Sequence, residues 1–225
     1  FFLTSSTTTM KAIFAIALAA AMFGAASATI GVDVSQLFPT SSWNCLANNG
    51  YIFGIIRCYC STGQVDGNCA QSVANAWNGG MQYVDLYLFP CPQCGNAYGQ
   101  VQTLRNYLNN NNVRFGMVWL DVEGSQYWLG NYGSNQLFFE QLCNATESLF
   151  GSPHWGIYSS PSQWYAIFGS DWNKFSNKAL WWPYYDGVAS LSAGWRNFAG
   201  WTYPNIKQYY GNAYVCGMGV DLNYY

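Results

Sequence analysis

Four acids stand within or at the end of apolar, strand-like runs. Asp33 lies in Gly31-Val32-Asp33-Val34-Ser35-Gln36. Asp121 and Glu123 lie in Val118-Trp119-Leu120-Asp121-Val122-Glu123-Gly124, and Asp221 in Gly219-Val220-Asp221-Leu222-Asn223. A buried acid must be paired, hydrogen-bonded or neutralised by a raised pKa. Lys and Arg together number 8, so the chain has few cations to pair with them. Four such acids point to a carboxylate active site. They require a fold that gathers three distant segments.

The order of elements supplies one. Strand-like runs are read at 30–34, 51–60, 83–89, 114–122 and 155–159. Helical patterns are read at 69–77, 98–108, 135–150 and 162–168, with Ser134 as a candidate N-cap. Within 98–108, Val101, Leu104 and Leu108 recur at helical spacing. The pattern then changes. Strands are read at 179–185, 200–210 and 220–225, with no amphipathic helix between them. The reading is five β/α units followed by three strands. Eight strands in that order predict an α/β fold closed as a modified TIM-type barrel, (β/α)5β3. The alternative is an open doubly wound sheet, for which no Gly-rich dinucleotide fingerprint is present.

Side chains alternate along a strand, so Asp121 and Glu123 share a face. Catalytic groups of β/α barrels come from the C-terminal ends of several strands. Asp33 ends the first strand, Asp121 and Glu123 the fourth, and Asp221 lies on the last. In a closed barrel the first and last strands are neighbours, so all four acids converge on one mouth. Crowded carboxylates raise one another's pKa. A protonated Glu beside an ionised Asp is what glycosidic bond cleavage requires.

Other features bound the setting. Residues 1–9 precede the first Met, Met10-Lys11 opens a basic region, and Ala12 to Phe23 is apolar but short for a membrane span. Ala26-Ser27-Ala28 has the small-x-small pattern of a signal peptidase site. Residues 1–28 are therefore expected to be leader and signal peptide, with 29–225 the catalytic domain. An N-terminal anchor helix is the competing reading. The formal net charge of −2 disfavours nucleic acid and anionic lipid as partners. After cleavage no membrane contact is expected, and a monomer is. Eight cysteines in an exported chain predict disulfides. Cys91-Pro92-Gln93-Cys94 has redox-motif spacing, but a structural bridge is preferred. No metal or other cofactor is expected, because one His offers little to zinc. Asn144-Ala145-Thr146 is a glycosylation sequon.

Tyr59, Tyr87, Tyr158, Trp181 and Tyr185 stand near expected strand ends and are candidates to stack on sugar rings. His154 precedes the fifth strand, at the far end of the barrel. With no second His, a Ser-His-Asp mechanism is disfavoured.

These segments resemble glycoside hydrolase family 25, the Chalaropsis-type lysozymes, in its invertebrate and protist branch. The resemblance runs from Thr29 to Tyr225. It rests on Gly31-Val32-Asp33-Val34-Ser35, Asp121-Val122-Glu123, Gly156-Ile157-Tyr158-Ser159, Leu180-Trp181-Trp182-Pro183-Tyr184-Tyr185-Asp186, Ile206-Lys207-Gln208-Tyr209 and Val220-Asp221-Leu222-Asn223. It implies a (β/α)5β3 barrel that hydrolyses the β-1,4 bond between N-acetylmuramic acid and N-acetylglucosamine in bacterial peptidoglycan. Glu123 then matches the acid/base, and Asp121 the partner that orients the 2-acetamido group. Asp33 and Asp221 match the flanking acids, and Gln208 joins the substrate-binding set. Secretion, or delivery to a phagosomal or lysosomal lumen, is the expected location. The competing readings are a chitinase or endo-N-acetylglucosaminidase-like hydrolase and a sugar-binding barrel without catalysis.

Overall fold

The computed structural model describes residues 29–225; the expected leader and signal peptide lie outside them. Among these residues nine strands and five α-helices follow in order. They are β1 (Ile30–Val34), α1 (Thr40–Asn48), β2 (Tyr51–Cys60), β3 (Gln64–Val65), α2 (Cys69–Asn78), β4 (Tyr83–Leu88) and α3 (Ala97–Asn110). β5 (Val118–Asp121), α4 (Tyr132–Phe150), β6 (Trp155–Tyr158), α5 (Pro161–Phe168), β7 (Ala179–Pro183), β8 (Ile206–Val215) and β9 (Met218–Tyr224) complete the fold.

The sheet order is β1-β9-β8-β7-β6-β5-β4-β2-β3, and β1 also pairs with β2. That pairing closes eight strands into a barrel, with β3 a short antiparallel spur on β2. Neighbours from β1 through β2, β4, β5, β6 and β7 to β8 are parallel. β9 runs antiparallel to both β8 and β1. The open-sheet alternative is excluded, and the (β/α)5β3 architecture is present.

Two apolar layers hold the fold. The larger lies between strands and helices and includes Val32, Ile56, Leu86, Leu120, Ile157 and Leu180. The smaller fills the barrel with Phe53, Ile55, Trp119, Tyr158, Trp181 and Ile206. Burial on both faces gives the parallel strands their continuous apolar reading. Gly156 makes room for this filling, since a Cβ there would collide with the Trp119 ring.

The structure moves several expected boundaries. α1 has no helical signal in the sequence, being rich in Thr, Ser and Asn with no side-chain cap. Tertiary packing makes it: fully buried Trp43 lies against Gly54 of β2 and Gly79 after α2. Asn75 of α2 donates to the Phe38 carbonyl at 2.7 Å. α4 starts at Tyr132 with Asn131 as its cap, whose side chain accepts from the Ser134 N–H; Ser134 lies inside the helix. β5 starts at Val118 rather than 114, since half-buried Asp85 takes the Met117 N–H at 2.8 Å. β8 covers 206–215 rather than 200–210. Residues 195–203 instead form a compact aromatic turn with a Phe198–Trp201 bridge.

Disulfides join Cys45 to Cys216, Cys58 to Cys69 and Cys91 to Cys94, while Cys60 and Cys143 are thiols. The Cys91–Cys94 bridge matches the structural reading of that pair. In the sequon, Asn144 is exposed on α4, but the Thr146 hydroxyl is buried and donates to Leu142 O at 2.8 Å. No described helix is long and apolar enough to cross a membrane.

Candidate active site

The four acids meet at the C-terminal mouth of the parallel strands. Asp33 on β1 is in register with Asp221 on β9. Because β9 is antiparallel, Asp221 reaches the mouth from within its strand rather than from its end. Asp121 closes β5, and Glu123 lies two residues beyond it, off the strand. Asp33 and Asp221 line a cavity of about 310 Å3 with Tyr87, Asn212 and Tyr214. A larger cavity of about 490 Å3 opens at the other end of the barrel, between Ile52, Phe53, Tyr83, Met117 and Tyr225. It is far from the four acids in the register and is no part of their chemistry.

The backbone that presents Glu123 is fixed on every side. Val122 N–H donates to Tyr158 O at 2.9 Å, continuing the β5–β6 ladder. The Ser159 hydroxyl donates to Val122 O at 2.9 Å, and the Trp128 indole to Glu123 O at 3.0 Å. Gly124 N–H donates to the Gln163 side chain at 2.9 Å. Gly124 has φ of 64°, and a side chain there would also press on the Tyr127 ring.

Gln208 is the hub of the floor. Its amide nitrogen donates to Asp33 Oδ2 at 2.7 Å and to Asp221 Oδ2 at 3.4 Å. Its amide oxygen accepts from Tyr158 Oη at 2.9 Å and Tyr185 Oη at 2.7 Å. Asn223 donates to the same Asp33 oxygen at 2.7 Å and accepts from the Trp181 indole at 2.7 Å. Asn212 N–H donates to Asp221 Oδ1 at 2.6 Å. Asp121 Oδ1 is buried with no partner among the described residues.

All four carboxyl groups are pushed above their ordinary range. Burial is the largest cause at Asp33, followed by the charge of Asp221; the Asn223 and Gln208 amides pull the other way, and the result is about 8. Burial, then Glu123 and Asp33, drive Asp121 well up. Burial and then Asp221 raise Glu123. Burial raises Asp221, opposed by the Asn212 N–H. The upward push is thus shared rather than confined to Glu123. Asp33 holds its proton at neutral pH; Asp33 and Asp121 are buried, whereas Glu123 and Asp221 are half-buried.

The expected sugar-stacking residues separate into three groups. Tyr185 is exposed at the rim, and Tyr87 lines the mouth cavity. Tyr158, Trp181 and Gln208 are buried in the floor and act through hydrogen bonds rather than open faces. Tyr59 is not at the mouth. It belongs to the outer apolar layer and donates to Gly63 O at 2.8 Å, because a register shift in β2 between Arg57 and Tyr59 turns it outward. Asn223 was missed, although it lies two residues from Asp221 and so shares its face. Arg57 was also missed; it bridges Asp66 and the Ser35 carbonyl, each at 2.9 Å. His154 is exposed ahead of β6, away from the acids.

A family model described as Lysozyme-like protein 1 matches residues 24–209. The chain is 46% identical over 199 residues to a probable GH family 25 lysozyme 2 of Dictyostelium discoideum, covering 88% of this chain and 92% of that one. It is 36% identical to lysozyme-like protein 5 of Caenorhabditis elegans, covering 86% and 90%. The bacterial lysozyme from Streptomyces coelicolor has the same fold, with a TM-score of 0.70 at 22% identity over 88% of this chain and 92% of that chain. The chain belongs to the glycoside hydrolase family 25 lysozymes and is a glycoside hydrolase.

Proposed function

We propose that this enzyme is a muramidase of a secreted or phagosomal compartment. It cleaves the β-1,4 bond between N-acetylmuramic acid and N-acetylglucosamine in bacterial peptidoglycan. The carrying observation is the placement of Glu123: raised in pKa by burial, held by the Trp128 indole at its own carbonyl and by Ser159 and Gln163 at the backbone of Val122 and Gly124 on either side, and beside the buried, unpartnered Asp121 Oδ1. Glu123 donates its proton to the leaving glycosidic oxygen. Asp121 Oδ1 accepts the N–H of the 2-acetamido group and turns the acetamido oxygen toward the anomeric carbon. That oxygen stabilises the developing cation in place of a protein nucleophile. Asp33 and Asp221 flank the site, and Asp33 holds its proton below about pH 8. Glu123, now ionised, takes a proton from the incoming water. Three disulfides support an oxidising compartment.

The test is product chemistry. Purified peptidoglycan should yield fragments whose new reducing end is N-acetylmuramic acid, while chitin should yield none. A new reducing end on N-acetylglucosamine would instead support the glucosaminidase reading. Absence of turnover on either polymer would support a sugar-binding barrel.

A further inference from the structure

The loop 184–205 between β7 and β8 is braced from beneath by Lys207. Its ammonium is fully buried and donates to both oxygens of Asp186 at 2.8 Å and to Ala193 O at 3.0 Å. Three donors meet three acceptors, which makes burial of this charge tolerable. The Trp195 indole N–H is shared between Asn197 Oδ1 and Thr202 O, and Phe198 and Trp201 are buried. Tyr184 packs against Gly194, where a Cβ would collide with its ring.

Arg196 is presented from this braced loop. It is exposed and lines a cavity of about 420 Å3 with Trp182, Tyr184 and Tyr185. Every other described Lys or Arg is engaged. Arg57, Lys174, Lys178 and Lys207 form ion pairs, and Arg105 and Arg114 lie over Phe150 and Trp77. Arg196 has no such partner among the described residues. The cavity adjoins the mouth, because Tyr185 also donates to Gln208, the residue that holds Asp33 and Asp221.

We propose that Arg196 is the subsite for a carboxylate carried by the muramyl residue, and so a determinant of specificity for peptidoglycan over chitin. The inference rests on the muramidase reading. Muramic acid differs from N-acetylglucosamine by a lactyl ether, whose carboxyl group is either free or extended by the stem peptide with its own carboxylates. Chitin has neither. The four acids of the mouth offer such a carboxylate no cationic partner, and one unpaired guanidinium offers a bidentate, charge-assisted site beside them.

The experiment measures binding in a Glu123→Gln background, so that turnover does not interfere. Three probes are compared: neutral chitotetraose, a peptide-stripped muroglycan tetrasaccharide, and the same glycan with stem peptides. Arg196→Gln should weaken muroglycan binding about tenfold, leave chitotetraose unchanged, and flatten the salt dependence. Arg196→Lys should recover part of the loss, since it keeps the charge but not the fork. Loss confined to the peptide-bearing probe assigns the contact to the stem; loss with both muroglycans assigns it to the lactyl carboxylate. Unchanged affinity for both muroglycans, or equal loss for all three probes, would overturn the proposal. Failure of the wild-type enzyme to cut peptidoglycan would sink the muramidase reading separately.

Discussion

Asp33 of β1 and Asp221 of β9 face one another as register partners across an antiparallel pair. Like charges directly opposite are destabilising. The pairing persists because one side chain, Gln208, donates its amide to both. It also explains why Asp33 is pushed to about 8, with burial first and Asp221 second. The antiparallel last strand is therefore part of the site's electrostatics: it brings a second acid against the first.

Glu123→Gln is expected to reduce peptidoglycan hydrolysis by about 10²–10⁴-fold, the usual worth of general acid assistance. The carboxyl group makes no side-chain hydrogen bond to a described residue, so the nearly isosteric amide should leave the thermal midpoint within a few degrees. Steady-state rates and a melting curve on the same preparation decide it. A folded variant with near-wild-type turnover would remove Glu123 from the proton-donor role.

Gln208 gives a different prediction. Replacing it with Leu removes an amide that serves Asp33, Asp221, Tyr158 and Tyr185 at once. Leaving buried polar groups unsatisfied costs about 1–3 kcal/mol each, and chemical denaturation should register a loss of that order. Asp33 also loses a donor that favours its ionised form, so the alkaline fall in stability, set by its folded value of about 8, should move to higher pH. Loss of stability with an unmoved profile would make Gln208 a packing residue alone.

The barrel and the convergence of its acids were legible because strand periodicity and strand-end position carry that information. Other features depend on contacts remote in sequence. α1 exists because Trp43 fits between β2 and α2, which no local propensity in residues 40–48 announces. β8 continues past Gly211 because Asn212, at φ of 58°, absorbs a register shift that reads locally as a strand end. Tyr59 has the same type and strand-end position as Tyr87, and a shift in β2 sends it to the opposite layer. Asn223 required the alternation rule to be applied to Asp221 as it was to Asp121.

The three disulfides should differ in worth. Cys45–Cys216 spans 171 residues, Cys58–Cys69 spans 11, and Cys91–Cys94 spans 3. Loop-closure entropy assigns on the order of 5 kcal/mol to the first and roughly 1.5 kcal/mol to the last. Cys216→Ala should therefore lower the denaturation midpoint far more than Cys94→Ala. Alkylation after unfolding without reductant should label Cys60 and Cys143 and no other cysteine. Eight labelled cysteines in the exported protein would refute the framework, and equal midpoints for the two variants would refute the ranking.

Stability and activity should both favour acid pH, for linked reasons. Asp33 has an ordinary value of 3.8 and a folded value of about 8. The folded protein thus holds that proton more tightly than the unfolded chain. Its contribution to stability is full below 3.8 and is lost as pH rises through about 8. Asp121, Glu123 and Asp221 are raised too and act in the same direction. Glu147, lowered by Lys178 and the Trp155 indole, and Asp186, lowered by Lys207 against the effect of burial, act in the opposite direction at low pH. Glu147 is exposed, so its pull is weak. The thermal midpoint should therefore peak on the acid side of neutral and fall steadily between about pH 6 and 9. Turnover should follow a bell. It declines on the alkaline side as Glu123 loses the proton it donates, and on the acid side as the last ionised carboxylate of the cluster gains a proton and the negative potential collapses. Moderate salt should help most on the alkaline side, where it screens repulsion between an acidic enzyme and an anionic wall. Melting curves and kcat on a small soluble muropeptide, measured across the same buffers, test the two profiles independently. A thermal midpoint that rises through pH 9, or a kcat that peaks in the alkaline range, would show that burial does not hold protons on this cluster.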